Sequence, residues 1–405
     1  MYLIRRAKAE DVGTLLKLAK MVHFINLPPD KEVITEKITH SRRCFMKAGE
    51  GRLEYQTGPV AKADGLAASI AASDLFMFVM EELESGACIG SSQLVSRMGG
   101  PGMPNYSFML RRVQMFSEDI HTGTVHTVAS LHADESGPSE LGGLILQPSY
   151  RGHRLRLGKF LAIVRFHFIG LHRAGFSDHL LAEMMAEITS DGRNVFWEAF
   201  GRRFIPLSYD EADRHCQISR EFIPALLPKD DIYLTLLPPS ARDAVGKVGP
   251  ETVSARRLLE KLGFEYRHFV DPFDGGPHMH ALTDEVEPVR ETIRTTLGQP
   301  VAKGKCDRSA IISVLDTDGE FRAVEHPCTM HPGGTLGVTK QTLELLEAEP
   351  GMQAGATPMD RGGMLRATPT KRVAKKPANK PVKKAAKRST KKPTRKASKT
   401  PRSPK

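Results

Sequence analysis

Apolar and polar positions repeat with two different periods along this chain. Residues 2–6 (YLIRR) read as a short strand. Asp11 is a suitable N-cap, and behind it Val12, Leu15, Leu16, Leu18, Ala19 and Val22 recur at helical spacing. A second helix is expected over 30–46, whereas the Gly- and Ala-rich residues 50–73 carry no assignable period. LFMFVME (75–81) reads as a buried strand, and ACIGSSQLV (87–95) as its hairpin partner across Glu84-Ser85-Gly86. A Gly/Pro loop at 97–105 precedes strands at 125–132 and 140–146. An apolar helix over 158–173 and a strand over 179–188 follow. Further on, Leu258, Leu259 and Leu262 line a helix that Gly263 ends, and Phe264 opens a strand. This succession predicts an α/β chain with a mixed sheet and flanking helices. Residues 290–350 read as a small β-rich subdomain: a hairpin about Asp316-Thr317-Asp318-Gly319, a strand at 333–338 and a helix from Thr339. Three parts are therefore expected, at 1–289, 290–350 and 351–405, the last a linker and tail.

Charge sharpens the last boundary. Of 58 Lys+Arg in 405 residues, 18 lie in 361–405, where there is no Asp or Glu. Residues 1–360 hold 40 basic and 47 acidic side chains, a net of −7, so the overall +11 belongs to the tail. A Lys-, Pro- and Ala-rich segment without aromatics cannot bury enough apolar surface to offset its ordering entropy, so disorder is expected. KKPANKPVKKAAK (375–387) resembles the C-terminal tails of linker histones and bacterial histone-like proteins. That resemblance implies binding of DNA or another polyanion by counterion release, without sequence readout, and a nucleoid-associated setting. Apolar runs fall short of a membrane span, and the N-terminus lacks a signal-peptide layout. Cys44, Cys88, Cys216, Cys306 and Cys328 are scattered without zinc-site spacing, which suggests reduced thiols in the cytoplasm. Whether the chain works as a homo- or hetero-oligomer is left open.

The first chemical signal is SELGGLILQPSYRGHRLRLGKFLAIVRFHF (139–168). A strand ending near Leu146 turns at Tyr150-Arg151-Gly152 into a helix near Gly158. Such a turn aims backbone N–H groups and a helix N-terminus at one spot, which suits a pyrophosphate. Arg151, Arg154, Arg156 and Lys159 add positive charge. The pattern resembles motif A of GNAT-type acyl-CoA N-acyltransferases, with the glycine spacing stretched by Arg154 and Arg156. The resemblance implies that the strand offers a backbone N–H to the thioester oxygen and that the turn, with Gly152 and Gly158, holds the CoA pyrophosphate.

Further strings resemble the arginine N-succinyltransferase family over about residues 1–350: SELGGLIL (139–146), LAEMMAEI (181–188), VFWEAFGRRF (195–204), LLPKDDIY (226–233), SARRLLEKLGFEYRHFV (254–270) and DPFDGGP (271–277). The resemblance implies transfer of a succinyl group from succinyl-CoA, a co-substrate and no resident cofactor, to the α-amine of arginine. It places a succinyl-CoA contact on Leu144, with Leu146 at the end of the same strand; Trp197, Arg202, Arg203 and Asp274, within the matching strings, are candidate substrate contacts. Arg202 and Arg203 suit a carboxylate equally well as they suit a helix C-terminus. The chain departs from the family at three points. A histidine before proline is Gly249 here, Ala-Glu-Met-Arg is Ala182-Glu183-Met184-Met185, and the closing strand after about residue 350 is replaced by Gly/Met-rich sequence. Glu183, mid-strand among apolar neighbours, becomes a candidate base or cation ligand, and His278 the candidate substitute acid. His278 and His280 share a strand face, but no third ligand is apparent, so no metal is expected. Two rival readings stand beside this one: an acyl-CoA N-acyltransferase with another acceptor, and a catalytically inactive relative that binds nucleic acid through its tail.

Overall fold

The computed structural model describes residues 1–359 except 22–26, 61–65, 67–69, 190 and 217, so the tail at 361–405 lies outside the described residues. The elements follow the chain in this order. First come β1 (Tyr2–Arg6), α1 (Val12–Met21), α2 (Lys31–Gly49), β2 (Leu75–Glu82), β3 (Ala87–Val95), β4 (Asn105–Ser117), β5 (Thr122–Asp134), β6 (Ser139–Leu146), α3 (Leu157–Leu171) and β7 (His179–Glu183). Next are α4 (Val195–Ala199), α5 (Tyr209–Cys216), α6 (Phe222–Leu226), β8 (Ile232–Tyr233), α7 (Pro239–Ala244), α8 (Val253–Lys261), β9 (Glu265–Val270) and β10 (Pro277–Leu282). The last are α9 (Glu287–Arg290), β11 (Ile293–Leu297), β12 (Arg308–Leu315), β13 (Phe321–Met330), β14 (Thr335–Val338), α10 (Lys340–Leu346) and β15 (Gln353–Pro358).

The strands form one mixed sheet in the order β12-β15-β11-β14-β13-β1-β2-β3-β6-β7-β10-β9-β4-β5-β8. Because β12 also pairs β13, from Arg308↔Cys328 to Leu315↔Phe321, the first five strands close into a small barrel. Ile312, Val324, Leu336, Val338, Ala354 and Ala356 belong to its core. The barrel is joined to the rest of the sheet through β13 and β1, at Ile4↔Ala323.

β15 corrects the expected linker after residue 350. Its sequence QAGATP is built of small residues with weak strand preference, so it carries no strand signal. Small residues are what the site demands: Ala354 and Ala356 are buried, and a Cβ on Gly355 would lie 2.4 Å from Leu171. β4 was not anticipated, because most of its length is exposed on both faces and no buried stripe marks a period. The strand expected over 179–188 stops at Glu183.

Two apolar layers cover the central strands. α3 packs over Phe76, Phe78, Leu94, Leu141, Leu180 and Ala182, with Phe168 among Phe45, Phe76 and Phe321. The other face presents Leu75, Met77, Val79 and Ile145 to α1 and α2. α2 starts where Asp30 accepts hydrogen bonds from the Glu32 and Val33 N–H groups, at 2.8 and 3.1 Å.

Candidate active site

Leu141 and Ile145 are four residues apart in β6 yet belong to opposite apolar layers. An inserted residue explains the switch. In the β3–β6 ladder Gln93 pairs Gly142 and Ser91 pairs Ile145, so Gly143 and Leu144 together oppose Ser92. This β-bulge needs glycine. Gly143 has φ +55°, and a Cβ there would lie 2.8 Å from Gln93 Nε2. Arg165, buried in α3, steadies the strand by donating from Nη1 to the Gly142 carbonyl at 3.3 Å.

On its other edge β6 runs parallel to β7, but pairing is confined to Ser139↔Leu180 and Glu140↔Leu181. Beyond that point a cavity of about 70 Å³ lies between the two strands. It is lined by Leu141–Leu144 on one side, Ala182–Met185 on the other, and Ala255 and Leu259 of α8. The bend from Leu146 into α3 is open: Arg151, Gly152, Arg154 and Arg156 are exposed. A Cβ on Gly152 would meet nothing within 4 Å, and one on Gly158 only Leu146 Cδ2 at 4.0 Å. Arg156 enters the helix with φ +50°, and Lys159 and Phe160 N–H both reach its carbonyl. Leu157 and Gly158 N–H have no backbone acceptor among the described residues.

The basic side chains of this bend do not converge. Arg151 pairs with Glu251 at 3.1 Å, toward α8. Arg154, Arg156 and Lys159 line a separate cavity of about 390 Å³ against Tyr2 and the barrel residues Ser309 and His326. Lys159 Nζ donates to the Met359 carbonyl at 3.4 Å.

Glu183 and His278 are direct cross-strand partners in β7 and β10. His278 Nε2 lies 3.7 Å from Glu183 Oε1, is buried, and has no hydrogen-bond partner. Burial pushes the imidazole below its ordinary range, against the opposing pull of Glu183. Asn105 Nδ2 donates to Glu183 Oε1 at 2.8 Å, and Asn105 Oδ1 accepts from Arg220 Nη1 at 2.8 Å. Asp271 completes the cluster. Its carboxyl accepts the Phe273 and Asp274 N–H groups, and burial beside Asp274 and Glu183 raises its pKa well above the usual range. Glu183, Asp271 and His278 each bring a potential ligand atom within 4.8 Å of the others, so a third potential metal ligand exists where the sequence showed none. Asn105 and Arg220 were missed because no period or motif marks them, and Asp271, inside DPFDGGP, because nothing local sets it apart from Asp274.

The two most distinctive strings have structural explanations. Trp197, expected on the substrate, is wholly buried. It stacks on Phe273 at 5.1 Å and donates its indole N–H to Leu207 O, which leaves no face for a ligand. Gly201 is required because a Cβ there would lie 2.2 Å from that ring. Arg202 and Arg203 are exposed, and Arg202 pairs with Glu198 one turn away. Asp274 also serves the fold: its carboxylate accepts from Ala186 and Gly276 N–H at 2.8 and 2.6 Å, and burial raises its pKa to about 6. Gly275 has φ +73°, and a Cβ on Gly276 would lie 2.0 Å from Met184 O, which accounts for the glycine pair. Gly249 is equally constrained. It donates to Met185 O at 3.0 Å, and a Cβ would sit 2.9 Å from Ala186 O, so this position has no room for a side chain.

A mixed sheet split beside a bulged strand, with an open bend leading into a helix, is the architecture of this molecule, and its overall fold has a known counterpart. The arginine/ornithine succinyltransferase subunit AI from Pseudomonas aeruginosa superposes with a TM-score of 0.71 over 88% of this chain and 98% of its own, at 24% identity; this shows the fold. The profile of one family, described as arginine N-succinyltransferase beta subunit, matches residues 2–288. The arginine N-succinyltransferase of Shigella dysenteriae is 30% identical over 80% of this chain and 88% of its own length. That of Enterobacter sp. strain 638 is 30% identical over 87% and 96%. The chain belongs to the arginine N-succinyltransferase family.

Proposed function

We propose that this chain is an arginine N-succinyltransferase that transfers the succinyl group of succinyl-CoA to the α-amine of arginine by direct attack in a ternary complex. Family membership along most of the chain carries this reading, and the split at the bulge supports it. In this reading the fold is of the GNAT type. The pantetheine arm enters between β6 and β7, and the Leu144 N–H meets the thioester oxygen as it gains charge. Leu146 packs along the arm, and the open bend at Arg151, Gly152 and Gly158 takes the pyrophosphate on free N–H groups. Arg154 and Lys159, on the barrel side, are left for the coenzyme's more distant phosphate.

Glu183 attracts the cationic acceptor, whose α-ammonium first gives one proton to solvent. The free amine bonds to the carbonyl carbon, His278 takes the second proton from that nitrogen, the C–S bond breaks, and the imidazolium passes this proton to the departing thiolate. His278 thereby covers for the side chain that Gly249 lacks. General acid–base help of this kind contributes about 10²–10⁴-fold, on top of positioning.

Mass spectrometry of arginine incubated with succinyl-CoA and the full chain tests the reaction. Succinyl-arginine and free CoA in equal amounts are expected, and thiol release that does not depend on arginine would overturn the acceptor. A second reading rests on the tail, with 18 basic and no acidic residues in 361–405: it binds DNA or another polyanion. Equal DNA binding by the full chain and by a chain ending at Pro358 would refute it.

A further inference from the structure

We propose that a second cavity, on the sheet face opposite α3, is a carboxylate subsite whose donors are Arg97 and Gln93; this rests on the acyl-transfer reading above. The cavity has a volume of about 160 Å³ and is lined by Gln93 of β3, Glu140 of β6, Arg97 just beyond β3, and Lys37 and Arg220 from the covering elements. Residue pairing puts Gln93 opposite Gly142, one residue from the bulge, and Glu140 opposite Leu181, two residues before Glu183 on the same strand face. The cavity therefore adjoins the place where acyl group and amine meet.

Two buried donors point to an anion. Arg97 is 8% exposed and Gln93 2%, and neither Arg97 Nε nor Gln93 Nε2 has an acceptor. Among the described residues Arg97 makes no ion pair. A buried guanidinium without an ion pair is costly, and a ligand carboxylate would supply the missing partner. Its placement is built in. A Cβ on Gly100 would lie 2.1 Å from Arg97 Nη2, one on Gly137 3.0 Å from Nε, and one on Gly143 2.8 Å from Gln93 Nε2. Three glycines thus clear the space that these two side chains occupy.

Arg220 ties the cavity to the reacting groups. It lines the same space and reaches Glu183 through Asn105 by two hydrogen bonds of 2.8 Å. A guanidinium fork with an amide beside it matches a carboxylate. The reaction brings two: the far carboxylate of the succinyl group and the α-carboxylate of the acceptor. Each has a counterpart that lacks only that group, acetyl-CoA for the first and agmatine for the second.

Calorimetric titration of the full chain with succinyl-CoA, acetyl-CoA, arginine and agmatine separates the cases. In Arg97→Gln, one of the two preferences, succinyl-CoA over acetyl-CoA or arginine over agmatine, is expected to fall by roughly tenfold or more, the scale of a lost charge-assisted bond. Gln93→Leu should weaken the same preference less, and it carries the test if Arg97→Gln does not fold. The preference that collapses identifies the carboxylate. Both preferences unchanged in a folded variant would overturn the subsite, as would a wild-type protein with neither preference. Because binding heat is read, a chain that binds these ligands but releases no thiol would sink the acyl-transfer reading and leave the subsite standing.

Discussion

The two faces of the strands around the split bury very different things. The face under α3 is a packed aromatic and aliphatic layer, and the buried polar side chains Arg165 and His167 find partners within it. Arg165 donates to the Ala162 and Gly142 carbonyls, and His167 bonds Thr357 and Ser313 at 2.6 Å each. The opposite face carries the buried His278 and Arg97 with the half-buried Glu183 and Arg220, and leaves His278 Nε2, His280 Nε2, Arg97 Nε and Gln93 Nε2 without partners. A protein selected for stability alone fills such positions with apolar groups or satisfies them. Among the described residues, unpartnered buried polar atoms thus distinguish the face proposed to meet substrates from the face that holds the fold.

Substitutions on either face should break different properties. The largest expected effect is on rate. His278→Gln should lower kcat about 10²–10⁴-fold while the melting temperature stays near wild type, measured by thiol release and thermal unfolding. On the opposite layer Phe168→Ala should cost about 3–5 kcal/mol in denaturant unfolding, through the cavity left among Phe45, Phe76 and Phe321. The folded fraction should keep its preference for succinyl-CoA. Gly249→Ala should cost less, about 1–3 kcal/mol, because a methyl there must push back the Ala186 carbonyl at 2.9 Å. An unchanged stability would mean that a side chain has space there after all.

The sequence carried the central elements well, because β2, β3, β6 and α3 are stamped by long apolar runs. It also carried the cross-strand neighbours Glu183 and His278 as separate candidates, though their pairing needs the register of β7 against β10. β4 and β15 were illegible, one because it is solvated on both sides and the other because its residues are small. Trp197 and Asp274 misled for the opposite reason. Rare residues in a distinctive string signal tight packing as readily as chemistry, and the ring under Gly201 and the carboxylate under Ala186 N–H are both packing. Arg97, Gln93 and Asp271 gain their meaning only from burial, which no local pattern encodes.

In the proposed reaction the buried His278 imidazole carries the amine proton, a role that the pH dependence of kcat at saturating succinyl-CoA and arginine exposes. Burial disfavours the charged ring, so the neutral base persists below the ordinary imidazole value of about 6.5. The wild-type rate should therefore hold steady from neutral pH down to that value and fall only in more acid solution. In His278→Gln this acid limb should vanish along with most of the rate. An acid limb of the same position and depth in the variant would contradict the assignment and send the search for the proton carrier elsewhere.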